Sequence, residues 1–150
     1  MRRGKLLFVC AALSAGAVAA SPSSTFAAST EITANALGHF FTTAYIEHAP
    51  IKVLVDTGAS LVALSYENAE EAGLRPWTLT FDLPISTANG QVEAARVMLD
   101  RVEIDNLLVR DVEAVVLPKG AFEGTLLGMS FLNKLSGFKV EDGRLQLSDR

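Results

Sequence analysis

What the chain has least of narrows its chemistry first. Its 150 residues hold one cysteine, Cys10, in an apolar stretch near the amino terminus. From residue 29 onward there is none, which excludes disulfides, thiol catalysis and thiolate metal sites from that part. Histidine is almost as scarce: His39 and His48 have no cysteine partner and no second histidine at helical spacing, so no metal site and no cofactor is expected. Clusters of Lys and Arg are also missing. Setting aside Arg2, Arg3 and Lys5 leaves 10 basic against 17 acidic residues, a net charge of −7, which argues against nucleic acid or anionic lipid as the main partner. No internal repeat links the two halves, and no apolar run reaches the roughly 20 residues of a membrane-spanning helix.

The amino terminus stands apart from the rest. Arg2, Arg3 and Lys5 precede an apolar run from Leu6 to Ala20, followed by small residues, the pattern of a secretory signal peptide. Ala17-Val18-Ala19 and Thr25-Phe26-Ala27 both fit the small-x-small cleavage rule. An uncleaved anchor is the competing reading, weakened by the shortness of the run and by Ser14 and Gly16 within it. Residues 1–28 therefore read as a signal peptide or N-terminal membrane anchor plus linker, with the Ser/Pro/Ala segment from Ser21 to Thr30 unstructured. Residues 29–150 read as one globular domain.

Most of that domain alternates as strands do. Residues 38–47 are rich in Phe, Thr, Tyr and Ile, with a turn expected at His48-Ala49-Pro50. Ser65 is placed to cap a helix over Tyr66–Ala72 that Gly73 stops, with Glu67, Glu70 and Glu71 on its solvated face. Pro76–Phe81 alternates and predicts a strand. Ile85-Ser86-Thr87 and Val92-Glu93-Ala94 flank Ala88-Asn89-Gly90-Gln91, a strong hairpin signal. Two longer runs follow, Ala95–Ile104 and Leu107–Leu117, joined at Asp105-Asn106. Their expected core residues are Val97, Leu99, Val102 and Ile104, then Leu108, Val112, Ala114 and Val116. Pro118–Gly124 is a loop, Met129–Leu135 a short helix with Phe131, Leu132 and Leu135 as core, and Phe138–Leu147 a terminal hairpin.

One stretch does not fit a purely structural account. In Val53-Leu54-Val55-Asp56-Thr57-Gly58-Ala59-Ser60, an apolar β-branched run delivers a carboxylate onto a Thr-Gly-Ala turn, and Leu61–Leu64 leads away. Desolvating a carboxylate at a buried strand end is costly unless hydrogen bonds compensate. Gly58 permits a tight turn and lets its N–H approach the carboxylate, and Thr57 adds a hydroxyl. Far downstream, Thr125-Leu126-Leu127-Gly128-Met129 sets two apolar residues and a glycine before an amphipathic turn.

Together, Asp56-Thr57-Gly58 and Leu126-Leu127-Gly128 resemble the paired motifs of the retropepsin-like (clan AA) aspartic proteases, over residues 38–147. The likeness is greatest to bacterial single-domain exported members. The resemblance implies an all-β fold: a closed β-barrel with a flap hairpin and one or two short helices, one lobe per chain. It implies Asp56, Thr57 and Gly58 as catalytic, Ala88, Asn89, Gly90 and Gln91 as the substrate-binding flap tip, and Ala59, Leu126, Leu127 and Gly128 as structural support of the site. Leu54, Val62 and Ile85 are expected to line an apolar cleft.

Carboxylate-driven peptide hydrolysis needs two acids beside one water, and like charges in contact share a proton. This chain has a single Asp-Thr-Gly and too few residues for two lobes. The expectation is therefore a homodimer with Asp56 of each copy on the two-fold axis and a peptide or protein substrate across the interface. Ala59, which lacks a hydroxyl donor, implies activity reaching weakly acidic or near-neutral pH. The expected location is periplasmic, soluble or tethered through the N-terminus, with limited proteolysis of cell-envelope proteins as the role. The alternative is a catalytically inactive retropepsin-like module that binds peptides or mediates dimerisation.

Overall fold

The computed structural model describes residues 28–87 and 90–149. Residues 1–27 of the predicted leader and linker, with Cys10, lie outside them, as do Ala88 and Asn89. In chain order the elements are β1 (Ser29–Thr33), β2 (Phe40–Ile46), β3 (Ala49–Val55), β4 (Val62–Leu64), α1 (Tyr66–Glu71), β5 (Leu83–Thr87), β6 (Gly90–Ile104), β7 (Leu107–Val116), β8 (Thr125–Leu127), α2 (Met129–Leu132), β9 (Gly137–Glu141) and β10 (Arg144–Ser148). Six strands pair in the order β2-β3-β8-β4-β7-β6, and Tyr45 and Ile46 of β2 pair with Glu103 and Val102 of β6, which closes the barrel. The fold is the expected all-β barrel with two short α-helices.

Alternation selects the core. Along β3, Ile51, Val53 and Val55 face inward, while Lys52 points out. Leu64, Leu99, Ile104, Leu107 and Phe131 are fully buried against them, each contributing about 2 kcal/mol of apolar burial. The β6–β7 pair changes its inward parity at Asp100 and Asp111. Leu99 and Val112 point inward on one side of this position, and Val102, Ile104, Leu107 and Val109 on the other. Asp111 has φ +53° there. A single period-2 count through β7 therefore misplaces Leu108, which is 36% exposed, while Leu107 and Val109 are buried.

Four other local expectations need correction. Pro76–Thr78 is a 3-10 turn rather than a strand, because Arg75 takes a left-handed conformation and Pro76 then opens the turn. The β2–β3 turn is Glu47-His48, with φ +48° and +80°, and β3 begins at Ala49. Pro50 is accommodated in that strand opposite Tyr45, at an exposed position where a missing N–H is tolerated. Ser29 and Thr30, assigned to an unstructured linker, belong to β1, which pairs with β10 from Ser29↔Ser148 to Thr33↔Arg144. The second helix ends at Leu132, although Phe131, Leu132 and Leu135 are all buried as expected.

Outside the barrel lie two further units. β5 pairs with the first part of β6, from Leu83↔Ala94 to Thr87↔Gly90, as the expected hairpin, and β6 then continues unbroken into the barrel wall. β1, β10 and β9 form a separate three-stranded sheet in that order. Its Ile32, Leu145 and Leu147 join the main core.

Candidate active site

The Asp turn is held by strand ends that cross. β8 pairs parallel with β3 (Leu54↔Leu126, Val55↔Leu127) and antiparallel with β4 (Ala63↔Leu126, Leu64↔Thr125). The segment Thr125-Leu126-Leu127 is thus wedged between the strand that enters the Asp56 turn and the one that leaves it. Asp56 N–H donates to the Leu127 carbonyl at 3.1 Å, Met129 N–H to the Ala59 carbonyl at 2.8 Å, and Ser130 N–H to the Ser60 carbonyl at 3.0 Å. The Ser130 hydroxyl accepts from Val62 N–H at 2.9 Å.

Gly128 is the point of contact. A Cβ there would lie 2.2 Å from the Leu61 carbonyl oxygen and 2.6 Å from that of Ala59. Only glycine lets the two segments come this close, so the two sequence motifs meet in space as one structure.

At the top of the crossing Asp56 is partly buried, and Gly58 N–H donates to its Oδ1 at 2.8 Å. Gly58 does not take a positive φ, so backbone freedom is not what glycine supplies here. It supplies room: a Cβ would sit 3.1 Å from Asp56 Oδ1. Thr57 and Gly58 are exposed, and Ala59 is half-buried. One carboxylate per chain therefore stands at an open surface, oriented by a backbone donor, with a hydroxyl beside it.

A hollow of 330 Å³ adjoins this carboxylate, lined by Gly38, His39, Phe40, Leu54, Val55, Thr57, Val140 and Leu145 as well as Asp56. Leu54 lines it as expected, whereas Val62 is fully buried in the core and is not a cleft residue. Ile85 packs with Leu83, Val92 and Leu126 around Ala63, Ala94, Val115 and Leu117, which seats the base of the hairpin behind the crossing. Of the expected flap-tip residues, Gly90 and Gln91 are exposed at the end of β6 and do not line the hollow. Sequence reasoning missed His39 and Val140. His39 could have been found by pairing β2 with the motif strand, since Phe40 lies opposite Val55. Nothing near Val140 in the sequence marks it. Among the described residues no group of three His, Cys, Asp or Glu side chains converges to hold a metal ion.

Comparison with known proteins gives the same reading. Residues 42–134 match the family model described as "gag-polyprotein putative aspartyl protease". The Sinorhizobium sp. "uncharacterized protein in cobV 5′ region" is 46% identical over 112 residues, covering 75% of this chain and 48% of that protein. The chain spans about half the length of the curated relatives it matches. Among solved structures, a retropepsin-like aspartic protease from Rickettsia conorii superposes with a TM-score of 0.74 at 32% identity, over 82% of this chain and 92% of that one. The EIAV protease, solved with the inhibitor HBY-793, shares the fold at a TM-score of 0.59 and 22% identity, over 73% of this chain and all of that one. With its two motifs joined at one crossing and its barrel matched by these proteins, the chain belongs to the retropepsin-like aspartic proteases of clan AA.

Proposed function

We propose that this chain is an aspartic endopeptidase whose working unit is a homodimer, with Asp56 of each copy facing the other across a two-fold axis. The observation that carries this is the single carboxylate, partly buried at the crossing and held by Gly58 N–H at 2.8 Å. A lone carboxylate ionised to take a proton from water has none to give to the carbonyl. Two Asp56 residues sharing one proton can do both.

In this reading the ionised Asp56 removes a proton from the water between the pair, and the water oxygen bonds to the scissile carbonyl carbon. The protonated Asp56 gives its proton to the carbonyl oxygen, forming a neutral gem-diol. The now protonated Asp56 then gives its proton to the departing nitrogen while the ionised one takes a proton from a gem-diol hydroxyl, which breaks the C–N bond, leaves a carboxylic acid and an amine, and restores the shared proton. Gly58 orients each carboxylate, Thr57 holds the pair in one plane, and Ala59, Leu126, Leu127 and Gly128 support the turn. The hairpin, with Gly90 and Gln91 at the start of its second strand, lies over an extended peptide. The apolar lining from Phe40 and Leu54 favours apolar side chains beside the scissile bond. The basic-then-apolar leader supports export, with envelope proteins as the targets of limited cleavage.

The test is peptide-library cleavage by the domain from about Ser29, at several pH values, beside Asp56→Asn. Cleavage by the parent that falls at least about 1,000-fold in the variant supports the mechanism. Equal cleavage by both refutes it, and a folded dimer that cleaves nothing favours the peptide-binding module instead. A strict monomer that cleaves would also end the two-carboxylate mechanism.

A further inference from the structure

The outer face of the β2–β3 pair runs up to Asp56 and carries two basic side chains that the chain leaves unpaired. Lys52 and Leu54 share the outward side of β3, and Asp56 follows two residues on. Across the pair, Phe41 lies opposite Leu54, and Thr43 opposite Lys52. Phe41 is 40% exposed, and both basic groups contact its ring. The Lys52 ammonium is 5.1 Å from the ring centroid, and the His39 ring meets it edge-on at 6.2 Å. His39 and Leu54 also line the hollow beside Asp56, so strip and hollow form one continuous surface.

His39 is held in place by its own loop. Asn35 Oδ1 accepts from both Leu37 N–H and His39 N–H at 2.9 Å, and Asn35 N–H donates to the His39 carbonyl at 2.8 Å. Gly38, with φ +80°, turns the chain inside this ring of bonds. Both Lys52 and His39 are exposed, and among the described residues neither forms an ion pair. From residue 29 onward acids outnumber bases 17 to 10, and four other basic side chains are tied to glutamates. Two basic groups are nonetheless left without a carboxylate at the rim of the catalytic hollow. An ammonium and an imidazole N–H beside one exposed ring suit a carboxylate on an apolar stem.

We infer that this strip selects substrates by an acidic side chain set apart from the scissile bond, an inference that rests on the protease reading above. Lys52 stands four residues before Asp56, a span of about 13 Å at roughly 3.3 Å per strand residue. An extended peptide covers that span in about four residues, so the acid belongs about four positions from the bond that is cut. Lys52 supplies the opposite charge, His39 a second donor, and Phe41 the surface on which the methylene stem rests. In the homodimer each copy supplies one strip, and the two-fold sets one on each side of the scissile bond. The preference is therefore expected on both sides of the cut.

The full chain is tested with statine-centred peptides, whose hydroxyl stands for that of the gem-diol, and with their cleavable counterparts. Each carries a single Asp, Asn or Lys, walked over about six positions on either side of the centre. Fluorescence anisotropy reads binding, kcat/KM cleavage, circular dichroism the fold and sedimentation the dimer. About four positions out, Asp should improve binding and kcat/KM about three- to fivefold over Asn, and Lys should weaken both. Lys52→Glu should reverse the order to Lys over Asp, His39→Ala should shrink the Asp advantage, and about 1 M salt should erase it. Binding that ignores the charge, an Asp advantage that survives Lys52→Glu, or no peptide binding at all would overturn the inference. A folded Lys52→Glu chain whose dimer differs from the parent's would overturn it too, since a second copy would then cover the strip. Asp56-dependent cleavage indifferent to the charge leaves the protease reading intact. Statine peptides that bind by charge while their counterparts are never cleaved keep the strip and remove that reading.

Discussion

Gly128→Ala probes the crossing at its narrowest point. The added methyl would sit 2.2 Å from the Leu61 carbonyl oxygen and 2.6 Å from that of Ala59, where real contacts stay above 3.0 Å. Both obstacles are backbone, so no side chain can swing aside. The Ala59–Leu61 segment must retreat by roughly 0.8 Å, and overpacking of this kind costs about 1–3 kcal/mol. The same gap is spanned by the Met129 N–H bond to Ala59 at 2.8 Å and the Ser130 N–H bond to Ser60 at 3.0 Å. Stretched beyond hydrogen-bonding range, each forfeits about 1 kcal/mol. The expected loss is about 3–5 kcal/mol, a large share of the roughly 5–15 kcal/mol that a domain holds. In urea that moves the midpoint down by roughly 2 M. Far-UV circular dichroism is the suitable probe, because Trp77 is 65% exposed and its emission would change little. A loss below about 1 kcal/mol would refute the claim that this close approach holds the Asp turn in place.

Gly58→Ala should behave in the opposite way. Its methyl meets only the Asp56 carboxyl group, with Oδ1 at 3.1 Å, so stability falls by less than about 1 kcal/mol, while kcat drops because the carboxylate is pushed off its backbone donor. Loss of stability with kcat unchanged would contradict this. Ser65→Ala removes the cap whose hydroxyl accepts from Asn68 N–H at 3.1 Å, and should cost about 1 kcal/mol, read as a fall in Tm of about 3–6 °C. Asp111→Gly relieves the left-handed backbone at φ +53° and should raise stability by about 0.5 kcal/mol in urea titration. A decrease would mean that the Asp111 side chain, and not its backbone, sustains the change of parity.

The architecture was legible because motif and period agreed. Asp56 and Gly128 were recognisable as a pair before any fold was known, and both sit at the crossing. The Asn-Gly hairpin, the Ser65 cap and the apolar faces of β3 and β6 follow from local chemistry. What escaped was set by tertiary context. Leu108 was misassigned because the shift at Asp100 and Asp111 is a property of two strands together. Pro76–Phe81 alternates, but Arg75's left-handed backbone turns the chain before a strand can start. Val140 reaches the Asp56 hollow only because β9 pairs beside β10, whose Leu145 lines the same hollow, a placement that no local pattern encodes.

The pairing of β1 with β10 bears on when the molecule can form. Ser29 waits for Ser148, about 120 residues later, and contacts of such long sequence separation are slow to close. The barrel can consolidate from β2 to β8 while this sheet is still open, and the sheet is completed only once the last strand arrives. β1 is thus the last strand to lock, while β9 and β10, joined by a two-residue turn, pair locally.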